Sequence, residues 1–265
     1  MIEQQEKNFH GLEGVASKAW PFDIKKGNDT LAILVHGFTG TPYDLWVLAD
    51  FLSVNHVDVV VPLLAGHGGS TKRLAASSAD DWINSLEKYL LENLGKYKRI
   101  FFVGYSFGAN LSFNLTIKYK EHITGVISLG LPIFMRNERR IRLLLPLAKI
   151  FKKTYKKYWL SEEDEHNMKD EGRHNHIPIN SIIYFYNFID EHTKKELAQI
   201  TVPVLVIHSR DDLVSDPYSS EFLFANLSGT RDKHLFILNK DEHNVIDNTR
   251  RDFIFTKTLE FIKHH

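Results

Sequence analysis

Short, continuous apolar runs recur along the chain, and amphipathic stretches separate them. The first three clear runs are Leu31–Val35, Val57–Val61 and Ile100–Val103. Continuous runs of this length are typical of strands that are buried on both faces of a parallel sheet. In the stretches between them, apolar residues return every three or four positions, which predicts helices. Strand and helix therefore alternate, and the pattern predicts an α/β fold with a doubly wound, mostly parallel sheet.

The alternation extends from the edge strand to the end of the chain. Ala19–Ile24 is predicted as an edge strand, because an edge position tolerates the missing N–H of Pro21. Ser78 is a suitable N-cap for the helix that follows it. The remaining predicted elements are strands at 123–129, 203–207 and 234–238, and helices that begin at about Pro42, Ala79, Pro217 and Asp252.

Residues 131–199 interrupt this alternation and are too long for a simple connection. Their apolar residues occur at helical spacing, so we expect a helical cap, or lid, inserted after the sixth strand and laid over the carboxyl edge of the sheet. The expected core is then 1–130 and 200–265. The segment also has a basic stretch, which is followed by an acidic run at 162–165. We interpret these charges as a solvated outer face, in preference to a patch that binds an anionic substrate or a membrane. The basic residues are Arg136, Arg139, Arg140, Arg142, Lys149, Lys152, Lys153, Lys156 and Lys157.

Composition narrows the possible functions. The chain has 265 residues, 43% hydrophobic and 25% charged, with a formal net charge of zero, so it does not resemble a nucleic-acid binder. It has no cysteine, which excludes disulfides and thiolate chemistry. No apolar run reaches membrane-spanning length and the first ten residues lack the apolar core of a signal peptide, so a cytoplasmic location is expected. No glycine-rich dinucleotide or phosphate motif is present, and we expect no cofactor.

The most informative motif is Gly104-Tyr105-Ser106-Phe107-Gly108, a G-x-S-x-G pattern between a predicted strand and a predicted helix. Such a sharp turn brings backbone atoms close to the serine, where side chains at both glycine positions would collide. The turn exposes the Ser106 hydroxyl at the end of the sheet and directs the positive N-terminal end of the helix towards it. The alternative is a plain glycine-rich turn between strand and helix. The flanking elements favour Ser106 as a nucleophile.

A serine nucleophile requires a base and a group that orients the base. Asp211 and Asp212 both follow the strand at 203–207, where a carboxylate is placed to orient an imidazole, and Asp216 is a weaker candidate. Turn formation or helix capping is the alternative role for Asp211 and Asp212. From the residues alone, Asp211 and Asp212 remain in competition.

His243 follows the strand at 234–238 and precedes the last helix, which makes it the predicted base. Its position selects it, because the chain has 14 histidines. We expect His36, His67 and His208 to hydrogen-bond loops around the site. A metal site at His166, His174 and His176 has no supporting spacing, so no metal is predicted.

The tetrahedral intermediate of acyl transfer needs N–H donors for its negatively charged oxygen. Phe107, which follows the nucleophile, supplies one predicted donor, and Phe38 in the loop after the strand at 31–35 supplies the second. Gly37 lets that backbone approach the substrate closely. The alternative for His36-Gly37 is a simple tight turn.

These motifs together resemble the α/β-hydrolase superfamily and, within it, the bacterial carboxylesterase and monoacylglycerol lipase group. The resemblance covers residues 19 to 263 and is weakest in the cap. It implies that Asp212 is the orienting carboxylate, since the spacing from Asp212 to Pro217 matches these esterases. This chain departs from the pattern at Glu242, where such esterases often have a glycine just before the histidine. The matching residues are 34–40, Gly66-His67-Gly68, Asp81-Trp82, 104–108, 210–217 and His243.

The resemblance implies a serine carboxylesterase or monoacylglycerol lipase with the triad Ser106, Asp212 and His243. We expect a small-molecule acyl ester of short to medium chain as substrate, and a monomer or homodimer. The same triad also serves thioesterases, peptidases and carbon–carbon hydrolases, and a catalytically silent binding protein is the alternative of a different class. The expected substrate-binding residues are Gly37, Tyr105, Ile133 and Phe134, with Phe38, Phe107, Leu131 and Leu143–Leu145 as further apolar candidates that core packing also explains.

Overall fold

The structure, a computed structural model, describes residues 12–157, 162–239 and 250–265. Nine strands lie in this part of the chain, and seven of them form the main sheet. They are β1 (Phe22–Ile24), β2 (Thr30–Val35), β3 (Asp58–Val61), β4 (Arg99–Tyr105), β5 (Gly125–Leu129), β6 (Thr154–Lys156), β7 (His176–Pro178), β8 (Val204–Ser209) and β9 (Lys233–Leu238).

One or more helices of the described residues lie between most of these strands. They are α1 (Trp46–Val54), α2 (Thr71–Ala75), α3 (Ala79–Leu91), α4 (Phe107–Lys118), α5 (Glu138–Phe151), α6 (Glu162–Asp170), α7 (Ile179–Phe188), α8 (Lys194–Glu196), α9 (Tyr218–Asn226) and α10 (Arg251–His264). Short 3-10 turns lie at Ser17–Ala19, Pro42–Leu45 and Leu197–Gln199, and a π-helical turn lies at Ile189–Thr193.

The main sheet has the strand order β1-β3-β2-β4-β5-β8-β9. Only β1 runs antiparallel within it, and it pairs with β3 at the sheet edge. The other pairs are parallel. The predicted α/β class and mostly parallel sheet are confirmed, and Pro21 lies just before the edge strand, where its missing N–H disturbs no ladder.

Two hydrophobic cores cover the two faces of the sheet. Along β2, Leu31 and Ile33 face a core that contains Trp82, whereas Ala32 and Leu34 face the other. Side chains alternate between faces along a strand, so a strand between two helical layers must be apolar at every position. This is the physical reason for the continuous apolar runs in the sequence.

The helix α3 begins as the sequence predicts. Ser78 accepts a hydrogen bond from the N–H of Asp81, and the Asp81 carboxylate accepts one in return from the N–H of Ser78. This reciprocal capping box satisfies two donors that a helix start otherwise leaves unpaired.

Residues 131–199 contain α5 to α8 and a two-stranded ribbon of β6 and β7. Five strands of the described residues precede this segment, not six as expected from the sequence. The ribbon was not predicted, because strands of three residues with polar members such as Lys156 carry no apolar run. The division into a core and a cap remains a prediction.

Candidate active site

Ser106 lies at the junction between β4, which ends at Tyr105, and α4, which begins at Phe107. Its backbone has φ 51° and ψ −126°, and its N–H donates to the carbonyl oxygen of Leu129 at 2.8 Å. A positive φ is unfavourable for a residue with a side chain, by about 1–3 kcal/mol. Such strain persists only where surrounding structure enforces it, and it is often found at functional positions.

The two glycines of the motif allow this turn. A Cβ at Gly108 would overlap the carbonyl oxygen of Val35, and a Cβ at Gly104 would overlap the backbone of Ala109. Neither contact involves a flexible side chain that could move aside. The collisions expected from the sequence are therefore present at both positions.

The loop after β2 passes directly beside Ser106. A Cβ at Gly37 would lie 3.0 Å from the Cβ of Ser106 and 3.5 Å from its Oγ. Phe38, the predicted oxyanion donor, is the next residue in this loop. Phe107, the other predicted donor, is the first residue of α4, and the first N–H groups of a helix have no partner within it. Gly37 and Phe107 thus border Ser106 on two sides.

The side chains of Phe38 and Phe107 are held in one aromatic cluster. Their ring centroids lie 6.1 Å apart, and Phe185 of α7 contacts both rings, at 5.2 and 4.9 Å. Trp82 of α3 closes the cluster, at 5.5 Å from Phe38 and 5.7 Å from Phe107. Packing of this kind fixes the backbone of both proposed oxyanion donors.

The structure distinguishes the two candidate aspartates by burial. Asp212 is completely buried, whereas Asp211 is exposed to solvent. Oδ1 of Asp212 accepts hydrogen bonds from the N–H groups of Val214 and Ser215, both at 2.8 Å. These bonds stabilise the ionised carboxylate and fix its orientation. Arg136 also donates its Nε–H to the backbone oxygen of Asp212, at 2.6 Å.

Three further candidates, His243, His208 and Asp216, have different outcomes in the structure. His243 and the neighbouring Glu242 lie outside the described residues, so the predicted base stays a prediction. His208, expected to bond a loop, is buried at the end of β8, with its Nε2 at 3.6 Å from Oδ2 of Asp212. Asp216 accepts a hydrogen bond from the N–H of Tyr218, two residues on, as in an Asx turn.

His36 and His67 have the structural role that the sequence predicts. Nε2 of His36 accepts a hydrogen bond from the N–H of Leu64, which leaves Nδ1 to donate to the Gly37 oxygen at 3.0 Å. Burial lowers the pKa of His36 to about 4. Burial also lowers the pKa of His67 and of His174 to about 3, and the rings of these two residues lie 5.8 Å apart. All three imidazoles are therefore neutral at pH 7.

The predicted substrate-binding residues occupy different environments. Tyr105 is largely buried at the end of β4, and Ile133 is buried in the core that contains Trp82. The ring of Phe134 packs against Tyr218 and Phe222 of α9, both at 5.2 Å. The structure accounts for Ile133 and Phe134 by packing, and their contact with substrate stays a prediction.

The expectation that Leu143–Leu145 line an acyl pocket is wrong for two of the three residues. Leu143 and Leu144 are exposed on the outer side of α5. Only Leu145 is directed inward, against the core. Helical spacing in the sequence identifies a stripe of apolar residues, but it does not indicate whether that stripe faces the protein or the solvent.

A contact between the 131–199 segment and the loop that carries Phe38 was not predicted from the sequence. Lys157, just after β6, donates from Nζ to Oγ1 of Thr39 at 2.8 Å. The N–H of His174 donates to the backbone oxygen of Thr39 at 3.0 Å, and Thr39 has a positive φ of 66°. Arg173 forms an ion pair with Asp44 at 2.6 Å in the same region. No local pattern marks a lysine that binds a loop 118 residues away.

The described residues contain neither a metal-ligand cluster nor a helix that could span a membrane. Among the residues that the structure describes, no group of three or more His, Cys, Asp or Glu side chains is arranged to hold a metal ion. Every helix in those same ranges is too short or too polar to span a bilayer.

The seven-stranded, mostly parallel sheet with a strained serine between strand and helix defines an α/β-hydrolase fold. Over residues 27–250 the sequence matches the family described as serine aminopeptidase, S33, and the chain belongs to this family.

Similar proteins support this placement over nearly the whole chain. A carboxylesterase of Bacillus subtilis (strain 168) is 25% identical over 245 residues, which cover 92% of this chain and 96% of that protein. A thermostable monoacylglycerol lipase of Bacillus sp. (strain H-257) is 25% identical over 253 residues, 95% and 97% of the two chains. A solved structure from work on LipS and LipT, two metagenome-derived lipolytic enzymes, has a TM-score of 0.80 at 23% identity and covers 95% of this chain and 100% of its own.

Proposed function

We propose that this protein is a serine hydrolase of carboxylic esters that acts through an acyl-enzyme. The observation that carries the proposal is the strained Ser106, which lies beside Gly37 at the N-terminus of α4. The similarity to a carboxylesterase and a monoacylglycerol lipase, over more than nine-tenths of each chain, supports esters as the substrate class.

In the proposed mechanism, His243 accepts the proton of the Ser106 hydroxyl while Oγ attacks the ester carbonyl carbon. Asp212 orients His243 and stabilises the imidazolium. Its two backbone hydrogen bonds support this role, because they stabilise the negative charge of the carboxylate and fix it in place.

The N–H groups of Phe38 and Phe107 stabilise the negative oxygen of the tetrahedral intermediate. When the intermediate collapses, the alcohol leaves with the proton from His243, and the acyl group stays on Ser106. His243 then removes a proton from water, which attacks the acyl-enzyme and releases the acid. The aromatic cluster around Phe38 and Phe107 supports the oxyanion assignment, because it holds both residues in fixed positions next to Ser106.

We propose short- to medium-chain acyl esters, including monoacylglycerols, as substrates. Gly37, Tyr105, Ile133 and Phe134 are the proposed substrate contacts. Tyr105 and Gly37 have the stronger support, because one precedes Ser106 in the chain and the other approaches its side chain.

Hydrolysis of p-nitrophenyl esters from acetyl to palmitoyl, together with a monoacylglycerol, tests the proposal. We expect turnover that peaks at one chain length and falls by roughly a thousandfold or more in Ser106→Ala. A fluorophosphonate should label Ser106 in the wild-type protein and fail to label the variant. Full ester turnover in Ser106→Ala would contradict the assignment of the nucleophile.

Peptide hydrolysis is the second candidate, because the matching family is described as a serine aminopeptidase. The same nucleophile and oxyanion donors serve both reactions. Aminoacyl p-nitroanilides distinguish them. A kcat/KM on an aminoacyl anilide that exceeds the value for every ester would favour the peptidase. We expect the opposite result, with the highest kcat/KM on an ester.

A further inference from the structure

The turn that holds the Asp212 carboxylate is tied to the chain that follows β5. Residues 134–136 lie antiparallel to residues 214–216, and a β-bridge joins the two segments at their central positions. The N–H of Arg136 donates to the carbonyl oxygen of Val214 at 3.0 Å. The position of the turn therefore depends on a segment that is distant from it in the sequence.

Val214 connects this bridge directly to the carboxylate. Its carbonyl oxygen accepts the N–H of Arg136, and its own N–H donates to Oδ1 of Asp212 at 2.8 Å. Ser215, whose N–H donates to the same oxygen at 2.8 Å, is anchored through its hydroxyl to the carbonyl oxygen of Leu131 at 3.1 Å. Both N–H groups that hold the carboxylate are thus fixed by residues that follow β5.

The side chain of Arg136 contacts the same turn a second time. Its Nε–H donates to the backbone oxygen of Asp212 at 2.6 Å, and the charge of the guanidinium strengthens this hydrogen bond. Arg136 is exposed, but Asp212 is completely buried, so the acceptor end of the bond is shielded from water. One residue therefore holds the turn at two points, Val214 through its backbone and Asp212 through its side chain.

We propose that Arg136 is a positioning residue for Asp212. This rests on the proposed function, in which the Asp212 carboxylate orients the base. Arg136 acts through Asp212, because it fixes the turn and the turn fixes the direction of the carboxylate. A catalytic group must be held within about 0.5 Å and 10–20° of its productive geometry. A loosened turn therefore lowers the rate although every member of the triad is still present.

Kinetics of the full-length protein on p-nitrophenyl butyrate test the proposal. Arg136→Met keeps an unbranched side chain and removes the donor, and we expect kcat to fall roughly tenfold with little change in KM. Arg136→Lys, which retains a cationic donor, should recover most of the wild-type kcat. The control is Arg139→Met, which removes an exposed arginine from the same segment and should match wild type.

A double-variant cycle distinguishes positioning from a purely structural role. In an Asp212→Asn background the carboxylate that Arg136 directs is already absent, so Arg136→Met should lower the remaining kcat by less than about twofold. If Arg136 supported only the fold in general, the tenfold loss should recur in that background. Urea unfolding of each variant measures the change in stability separately from the change in rate.

The pH profile of kcat/KM gives a second readout. A correctly oriented carboxylate favours the protonated form of the base. In Arg136→Met the acid limb of the profile should therefore move to lower pH, in the same direction as in Asp212→Asn but by less. Arg139→Met should leave the limb in place. The neighbouring titratable residues Asp211 and His208, whose Nε2 lies 3.6 Å from Oδ2 of Asp212, are the same in all of these variants.

Labelling by a fluorophosphonate separates this proposal from the proposed function. Labelling of Ser106 without turnover of any ester would contradict ester substrates alone, and the rate of labelling would then replace kcat, with the same tenfold difference expected. Equal rates for Arg136→Met and Arg139→Met, or a full loss that recurs in the Asp212→Asn background, would overturn the role of Arg136. Failure of the folded wild-type protein to be labelled at all would overturn both proposals.

Discussion

The ammonium group of Lys157 donates a hydrogen bond to the hydroxyl oxygen of Thr39 across 2.8 Å. Lys157 belongs to the segment inserted between β5 and β8, and Thr39 follows the proposed oxyanion donor Phe38. Burial lowers the pKa of Lys157 to about 8, against the opposing effect of the Asp44 charge. An ammonium held away from water is unfavourable unless it is paired, so this contact attaches the inserted segment to the loop that carries Phe38.

Loss of this contact should lower the rate of the proposed reaction. Lys157→Met keeps most of the length of the side chain and removes the ammonium donor. Thr39→Val keeps the shape of the side chain and removes the hydroxyl acceptor. On p-nitrophenyl butyrate we expect each to lower kcat by roughly tenfold with little change in KM, because a displaced Phe38 N–H stabilises the transition state less.

The double variant and a control complete this test. Because both substitutions remove the same bond, their effects on kcat should be strongly non-additive. Thr39→Ser, which retains the hydroxyl, should keep most of the wild-type kcat, and so should Lys153→Met, whose side chain is exposed. Additive losses in the double variant would show that Lys157 and Thr39 act independently.

The two adjacent aspartates should differ sharply when each is replaced. Asp212→Asn should lower kcat by roughly a hundredfold to ten-thousandfold, because an amide cannot hold the base in the productive tautomer. Asp211→Asn, at an exposed position, should stay within about twofold of wild type. Steady-state kinetics on one soluble ester measures both, and a larger loss in Asp211→Asn would transfer the orienting role to that residue.

A methyl group at Gly108 should destabilise the whole fold. Gly108→Ala would force a Cβ against the carbonyl oxygen of Val35, and we expect the free energy of unfolding to fall by about 3 kcal/mol or more. Urea denaturation followed by circular dichroism provides the measurement.

The control for this prediction is Gly95→Ala. Gly95 also has a positive φ, of 75°, but a Cβ added there would meet no atom within 4 Å, so only the backbone strain of about 1–2 kcal/mol applies. Equal destabilisation by the two substitutions would mean that contact with Val35 has no effect on stability.

The buried His36 should make the fold sensitive to acid. Its pKa is lowered to about 4 in the folded protein, from an ordinary value of 6.5, so between these values the unfolded chain binds a proton that the folded chain does not. The stabilisation is complete above pH 6.5 and is lost as the pH falls. His36 alone should cost about 3 kcal/mol between pH 6.5 and 4, and His67 and His174 change stability in the same direction.

Urea unfolding at several values between pH 4 and 7 measures this loss. His36→Gln should be less stable than wild type at pH 7, yet its free energy of unfolding should fall less steeply with acid. His122→Gln, which replaces an exposed imidazole, should retain the wild-type slope. Identical slopes for His36→Gln and wild type would exclude His36 as a source of the acid sensitivity.

Much of the sheet and the strained turn at Ser106 could be predicted because their signals are local. Strands buried on both faces need apolar residues at consecutive positions, and Leu31–Val35 displays that requirement within a single window. The turn at Ser106 is equally local, since Gly104 and Gly108 stand on either side of the residue whose backbone they make possible. Five residues with their flanks were therefore sufficient to predict this turn.

Other features depend on contacts between distant parts of the chain, and only the tertiary structure decided them. Asp211 and Asp212 are neighbours with the same chemistry, and their different burial arises from packing around β8. The outward direction of Leu143 follows from the ion pair between Arg142 and Asp190. The contact with the loop that carries Phe38 joins Thr39 to Lys157 over 118 residues. Periodicity along a sequence reports which residues share a face, but the partner of that face is set by the free energy of the whole fold.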